Sequence, residues 1–323
     1  MEKTDVVAFQ LLPNESETVF ETTSVTISYL LCIFGGFISV VIMCGNSLVI
    51  ISVLYFKQLH TPTNYLVLSL AVADLLVGLF ILPFSILLYV RSNWPLQGEL
   101  CRVRGGLDMS LCNSSILSLC FISVDRYYAV CQPLKYRNKI NIRVVWVMIL
   151  VTWTVATLIG VIISLAPDKN AEKKCVLIQT KASGSLIMGA VVVFFIPALV
   201  MSAIYLKILT VAKKQATSIV KMSKPGETAS KMERKATKTL AVVMSVFLIS
   251  WMPFFLCISY QPLSSNKIPL HLIQSFKWLG WSNSMLNPCV YAFFYRWFRS
   301  AFRLIITGKI FRHDYTNTNL LKF

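Results

Sequence analysis

Charge is scarce in this chain. Lys, Arg, Asp and Glu make up 14% of its 323 residues, where a soluble globular domain carries about a quarter. That composition, with a mean hydropathy of +0.66, excludes an ordinary soluble domain. Histidine is scarcer still. His60, His271 and His313 stand far apart, which leaves no metal-ligand spacing and no nucleophile–base pair for an enzyme. The basic-then-apolar opening of a cleavable signal peptide is missing too. The first 25 residues carry Glu2, Asp5, Glu15, Glu17 and Glu21 against Lys3, so the first apolar segment is expected to act as its own targeting signal. There is no internal repeat, which speaks against a transporter built from inverted halves.

What the chain has in abundance is apolar runs long enough to cross a bilayer, roughly 20 residues each. Seven are visible, at about 26–55, 63–90, 100–130, 142–166, 184–212, 236–261 and 269–295. The third and seventh are the least pure. The expected fold is all-α: a seven-transmembrane helix bundle (26–296) after an extracellular N-terminal tail (1–25). An amphipathic helix and cytoplasmic tail (297–323) follow.

The net charge of +17 invites a nucleic-acid reading, but its distribution argues otherwise. With the N-terminus outside, 21 of the 31 Lys and Arg fall on the inner side. This fits the positive-inside rule, and the charge then faces anionic lipid and cytoplasmic partners. The C-terminus is then expected in the cytoplasm, and the expected membrane is the plasma membrane. Asn14-Glu15-Ser16 is a glycosylation sequon in the proposed outer tail. The similar Asn113-Ser114-Ser115 lies inside the third span, out of reach of that modification.

Of nine cysteines, Cys32, Cys44, Cys112, Cys120, Cys257 and Cys289 lie in apolar spans and read as packing residues. Cys131 is at the reducing inner side. Cys101 and Cys175 are the two on the outer side, where an oxidising exterior favours a bond between them. The one long loop, about 213–235, is basic and polar with a Pro-Gly break. Its ends are expected to extend the flanking helices into the cytoplasm. After Trp297, Phe298, Phe302, Leu304, Ile305 and Ile310 alternate with Arg299, Arg303, Lys309 and Arg312, the pattern of a helix lying on the inner leaflet.

Within the third span, "GGLDMSLCNSS" places Asp108 at membrane depth. A charge there costs about 2.5 to 3.5 kcal/mol on the translocon scale and needs a reason. Cys101 lies two turns above it. Arg126 lies five turns below it, about 27 Å away at 1.5 Å per residue. One helical stripe thus carries an outer cysteine, an acid and an inner arginine.

Taken in order, the punctuation of the spans resembles the rhodopsin-like (class A) G-protein-coupled receptors over nearly the whole chain. The marks are Asn46 in "GNSLVI", Asp74 in "LSLAVADLLVG", "DRYYAV" at Asp125-Arg126-Tyr127 and Trp153. They continue with Pro197 and Tyr205, "FLISWMPFF" (Phe247, Trp251, Pro253, Phe254, Phe255) and "NPCVY" (Asn287, Pro288, Tyr291). "NSMLNPCVYAFFYRWF", from Asn283 to Phe298, together with "FKQLHTPTNYLVLSLAVADLLVG" and "FISVDRYYAVCQPLKY", is similar to the trace-amine-associated receptors.

The resemblance implies roles. Arg126 would pair with Asp125 and reach Glu233, a lock whose release lets the sixth helix swing outward and admit a G-protein helix. Tyr127, Tyr205 and Tyr291, and the packing trio Ile116, Pro197 and Phe247, would belong to that switch. A snorkelling arginine and ordinary helix packing are the plainer alternatives. Asp74 with Ser115, Asn283, Ser284 and Asn287 resembles an allosteric sodium pocket. A protonated, hydrogen-bonded Asp74 would also satisfy the burial rule. No other metal and no organic cofactor is implied. Asp108 matches the position that holds a ligand ammonium in amine receptors, through a charge-assisted hydrogen bond. Met109, Cys112, Trp251, Phe254, Phe255, Ile258, Lys277 and Trp281 would line that pocket, although any single aromatic is ordinarily packing.

The resemblance further implies a small-molecule amine ligand, a stimulatory or olfactory G protein raising cyclic AMP, arrestin and a receptor kinase as partners. It implies no nucleic acid. A classical serotonin-like or histamine-like receptor and an amine transporter are the alternatives. Departures from the pattern matter. Gly189, Ala190 and Val193 stand where catechol receptors carry serines and where some trace-amine receptors carry a second acid. Trp281 replaces a tyrosine and is expected to lose its hydrogen bond to the acid. Lys277, one turn above Trp281, has three options: pairing with Asp108, snorkelling outward, or binding an acidic group on the ligand. Snorkelling is the common fate and the one expected. An inward Lys277 would favour monoamines, or amines bearing an acidic or acceptor group. Outer acids Glu99, Asp168 and Glu172 keep diamines open.

Overall fold

A computed structural model describes residues 15–90, 97–165, 183–221, 227–264, 268–294 and 296–320. Helix follows helix: α1 (Glu15–Tyr55), α2 (Pro62–Leu76), α3 (Leu82–Val90), α4 (Gln97–Cys131), α5 (Pro133–Lys139), α6 (Ile142–Leu165), α7 (Ser183–Ala190), α8 (Ile196–Lys221), α9 (Glu227–Tyr260), α10 (Leu270–Phe294) and α11 (Arg296–Ile306). A π-helical turn, Val77–Ile81, joins α2 to α3, and another, Val191–Phe195, joins α7 to α8. Each turn runs up to a proline, Pro83 or Pro197. A proline ring clashes with the carbonyl four residues back, and a widened turn accommodates it. These two pairs therefore act as single bundle helices.

Among the described residues, six helices are long and apolar enough to cross a membrane by length and composition. The seventh bundle helix is α10, whose apolar run is diluted by Lys277, Asn283, Ser284 and Asn287. α1 begins at Glu15, ahead of the apolar run. Glu15 to Leu31 contains no proline or glycine to stop a helix, so the helix outruns its membrane-length part, Cys32–Tyr55. α8 and α9 extend past the apolar spans to Lys221 and Glu227, as the long loop's composition led us to expect.

One continuous core runs down the bundle through Ile42, Leu70, Ile116, Phe194, Phe247 and Phe255. Leu150, Leu158, Ile162, Leu199, Leu206 and Ile249 are exposed on its outside, as lipid-facing residues should be. α4 and α6 pack closest. A Cβ on Gly106 would lie 2.7 Å from the Gly160 carbonyl oxygen, and one on Gly160 would strike Ser110. Small residues of this kind let two membrane helices approach backbone to backbone. Polar ties fix the rest. Asn46 Nδ2 donates to the Ser284 carbonyl at 3.1 Å, joining α1 to α10, and Trp153 Nε1 donates to Ser69 Oγ at 3.1 Å, joining α6 to α2.

α11 is amphipathic as expected. Phe298, Ala301 and Leu304 are buried, while Arg296, Arg299 and Arg303 are exposed. Its apolar face is covered by the chain itself. Ala301, Leu304 and Leu320 form a small core with Phe56 and Leu59. The tail beyond α11 folds back over the first inner loop. The Lys57 amide donates to the Thr316 carbonyl at 3.0 Å, and the Leu320 amide donates to Gln58 Oε1 at 2.9 Å.

Candidate functional site

Asp108 is buried on α4, at 2% exposure, and its carboxylate is bracketed from α10. Trp281 Nε1 donates to Oδ1 at 2.8 Å, and Lys277 Nζ stands 2.5 Å from Oδ2. Both partners come from one face of α10 because they are four residues apart, one turn. Lys277 is 6% exposed. The snorkelling expectation is therefore wrong for this residue. Its stem points down the bundle, and at that depth Asp108 offers the strongest interaction to an ammonium. The expectation that Trp281 forfeits the hydrogen bond is also corrected, since the indole N–H supplies it.

Aromatic rings enclose the ammonium. Lys277 Nζ lies 5.7 Å from the Phe254 centroid and 5.3 Å from that of Trp281, within cation–π range. Trp251 meets Phe254 edge-on at 6.1 Å, and Phe255 stacks on Phe194 at 4.3 Å. Gly280 makes room for this floor, because a Cβ there would lie 2.7 Å from the Trp251 ring. Cys112 and Ile258 are buried in the same core, and Met109 is half-buried beside Asp108 in sequence. On the α7–α8 side, Ala190 is buried, Val193 packs against the core and Gly189 is exposed.

Arg104 was not singled out in the sequence. It lies one turn above Asp108 on α4, 5% exposed. Its Nη1 donates to Ser85 Oγ at 2.7 Å, and its guanidinium lies 5.9 Å from the Trp281 ring. Its Nε is buried without a partner. The four-residue spacing from Asp108 was the available signal. Glu99, in the first turn of α4, is exposed. Asp168 and Glu172 lie outside the described residues.

Below the pocket, a small cavity with room for about one water is lined by Asp108, Cys112, Ser115, Trp251, Asn283 and Ser284. It leads toward the second buried acid. Asp74 is fully buried. It accepts from Ser115 Oγ at 3.3 Å, Ser284 Oγ at 2.8 Å and Asn287 Nδ2 at 2.7 Å. Asn283 is buried alongside, with Oδ1 unpaired. All five residues of the sodium-pocket expectation are buried, and three of them bond to the fourth, Asp74.

At the inner end, Arg126 pairs with Asp125 at 2.5 Å. Asp125 is completely buried and accepts from Thr63 Oγ1 at 2.8 Å and Tyr136 OH at 2.9 Å. Arg126 also donates to Thr63 Oγ1. Neither Thr63 nor Tyr136 was foreseen, because contacts between distant segments leave no local pattern. Burial and the Asp125 carboxylate hold the Tyr136 phenol above its usual range, so it remains a donor at neutral pH. Glu233 falls within α9, but its side chain lies outside the described residues. Ile116 and Phe247 are fully buried in one core, with Pro197 half-buried on α8. Tyr205 and Tyr291 are buried, and Tyr127 packs edge-on against Tyr128 at 5.7 Å. Cys101 is disulfide-bonded. Cys175 and Asn14 lie outside the described residues.

Comparison with known proteins agrees with this layout. The family described as 7 transmembrane receptor (rhodopsin family) matches residues 45–291. Trace amine-associated receptor 4 of Mus musculus is 42% identical over 301 residues, 87% of this chain and 86% of its own. Trace amine-associated receptor 1 of Homo sapiens is 40% identical over 299 residues, 86% and 87% of the two chains. Trace amine-associated receptor 13c of Danio rerio is 39% identical over 294 residues, 87% and 86%. With a polar-centred helical bundle, paired buried acids and a membrane-spanning composition, the chain is a multi-pass membrane receptor, not an enzyme, and belongs to the trace amine-associated receptors of the rhodopsin family.

Proposed function

We propose that this receptor binds a protonated amine at Asp108 and passes the signal through Arg126 to a stimulatory G protein, raising cyclic AMP. One observation carries the reading. An ammonium group, that of Lys277, already sits on Asp108 inside an aromatic enclosure formed by Phe254 and Trp281. A site that holds one ammonium has the charge, the carboxylate oxygen Oδ2 and the ring faces to hold another in its place. The names of the relatives, trace amine-associated receptors, point the same way.

The N-terminus lies outside and the basic inner face meets anionic lipid, in keeping with the distribution of Lys and Arg. An olfactory role, and regulation by receptor kinase and arrestin, belong to the same reading. Asp74, Ser115, Ser284 and the unpaired Oδ1 of Asn283 offer an all-oxygen set suited to a sodium ion. That ion would bias the receptor toward its resting state.

The test is Asp108→Asn, with surface expression confirmed and cyclic AMP recorded over a panel of amines. Loss of response at every amine active on the unaltered receptor is expected. An unchanged response sinks the anchor role.

A further inference from the structure

Among the described residues, the pocket holds more positive than negative charge. Asp108 is flanked by two buried cations, Lys277 on α10 and Arg104 one turn up α4, and both lie against the same Trp281 ring. Lys277 is matched by Asp108. Among the described residues, Arg104 has one hydrogen bond, to the neutral Ser85 hydroxyl, and a buried Nε with no partner. A buried guanidinium without a carboxylate is costly unless something else neutralises it. A simple amine makes the imbalance worse. To reach Asp108 its ammonium must displace Lys277, which leaves three cations around one acid.

From this geometry we infer that the ligand is a zwitterion: an amine that also carries an anionic group, its ammonium on Asp108 and its anion between Lys277 and Arg104. This rests on the reading of Asp108 as an ammonium anchor and names the chemical class of what it accepts. Displaced from Asp108, the Lys277 ammonium becomes a donor to the incoming anion, and Arg104 Nε gains the acceptor it lacks. The pair Asp108–Lys277 then acts as a template. It is itself an ammonium and a carboxylate in contact, and a zwitterion exchanges with both halves while conserving charge. Trp281 orders the exchange, because its N–H keeps Asp108 in place while Lys277 moves.

Matched probes test this on the full-length receptor in nanodiscs, by ligand-induced thermal stabilisation. Phenethylamine is compared with phenylalanine, and pentylamine with δ-aminovalerate, so that each pair differs in the anion. The zwitterion of each pair is expected to bind about tenfold more tightly than its amine, the scale of one charge-assisted hydrogen bond. Lys277→Gln and Arg104→Gln are each expected to erase that difference. Equal or tighter binding of the plain amines to the unaltered receptor overturns the inference, with no variant needed. A zwitterion preference that survives both substitutions also overturns it. If plain amines bind, lose binding in Asp108→Asn and show no disadvantage, the zwitterion inference fails while the amine anchor stands. If no probe binds either the unaltered receptor or Lys277→Gln, both fail.

Discussion

Removing Lys277 asks the most of this structure. Lys277→Met keeps the length and apolar character of the stem and deletes the ammonium. Asp108 then retains one donor, Trp281 Nε1, and its Oδ2 faces the rings of the pocket. Both partners are almost fully buried, with side chains 8% and 3% exposed. Breaking such a pair by removing one member costs about 3 to 5 kcal/mol, mostly because the other charge is stranded. At the scale of a chain this large, that is a fall of roughly 4 to 7 °C in Tm. Asp108→Asn strands the lysine and should cost a similar amount. The double variant Lys277→Met with Asp108→Asn strands nothing and should recover most of the loss. Thermal unfolding of the four purified proteins in one detergent, read by intrinsic tryptophan fluorescence, gives the cycle. With single losses of about 3 to 5 kcal/mol each and a small loss in the double variant, a coupling of about 5 kcal/mol or more is expected. Losses that add to within about 0.5 kcal/mol, the tolerance for independent sites, would refute the reasoning and put Lys277 elsewhere.

Other consequences are sharp enough to check. Tyr136→Phe removes the 2.9 Å bond to Asp125, worth about 1.5 to 3 kcal/mol for a charged acceptor. Ligand-free G-protein activation should rise several-fold at equal surface expression. Gly160→Val should cut surface expression sharply by forcing α6 off Gly106 and Ser110, and Gly160→Ala should do so more mildly. If sodium occupies the lower pocket, Asp74→Asn should abolish any effect of replacing sodium with choline on agonist affinity. Leu320→Asp should release the tail from the first inner loop, and hydrogen exchange at the Lys57 amide, which donates to Thr316, should speed by an order of magnitude or more.

The helices and the two acids buried at membrane depth were legible because the bilayer makes them so. Apolar length sets the spans, and a carboxylate at depth stands out by its cost. Asp108 could thus be nominated from its single position, while Asp74 was nominated through the family resemblance. Lys277 could not be placed, because snorkelling and inward pairing are separated by a small rotation of α10 and by the direction of a flexible stem. The apolar pattern fixes neither. Trp281 was read by what its ring lacks relative to a phenol, and the reach of its indole N–H is a matter of three-dimensional placement. Arg104 was within reach through its one-turn spacing to Asp108. Thr63 and Tyr136 were not, since they join Asp125 from other segments of the chain. The fold-back of the tail onto Phe56 and Leu59 depends on a few apolar residues meeting across some 260 positions, as in the Leu320–Gln58 bond.

Asp108, the proposed amine anchor, is held by the receptor's own Lys277 in the absence of ligand. An experimental structure of the ligand-free receptor in nanodiscs, at a resolution that shows side chains, tests it most directly. Lys277 Nζ is expected within hydrogen-bonding distance of Asp108 Oδ2, with the Trp281 indole on Oδ1. A Lys277 side chain reaching the outer water, with Asp108 held by Trp281 alone, would contradict it.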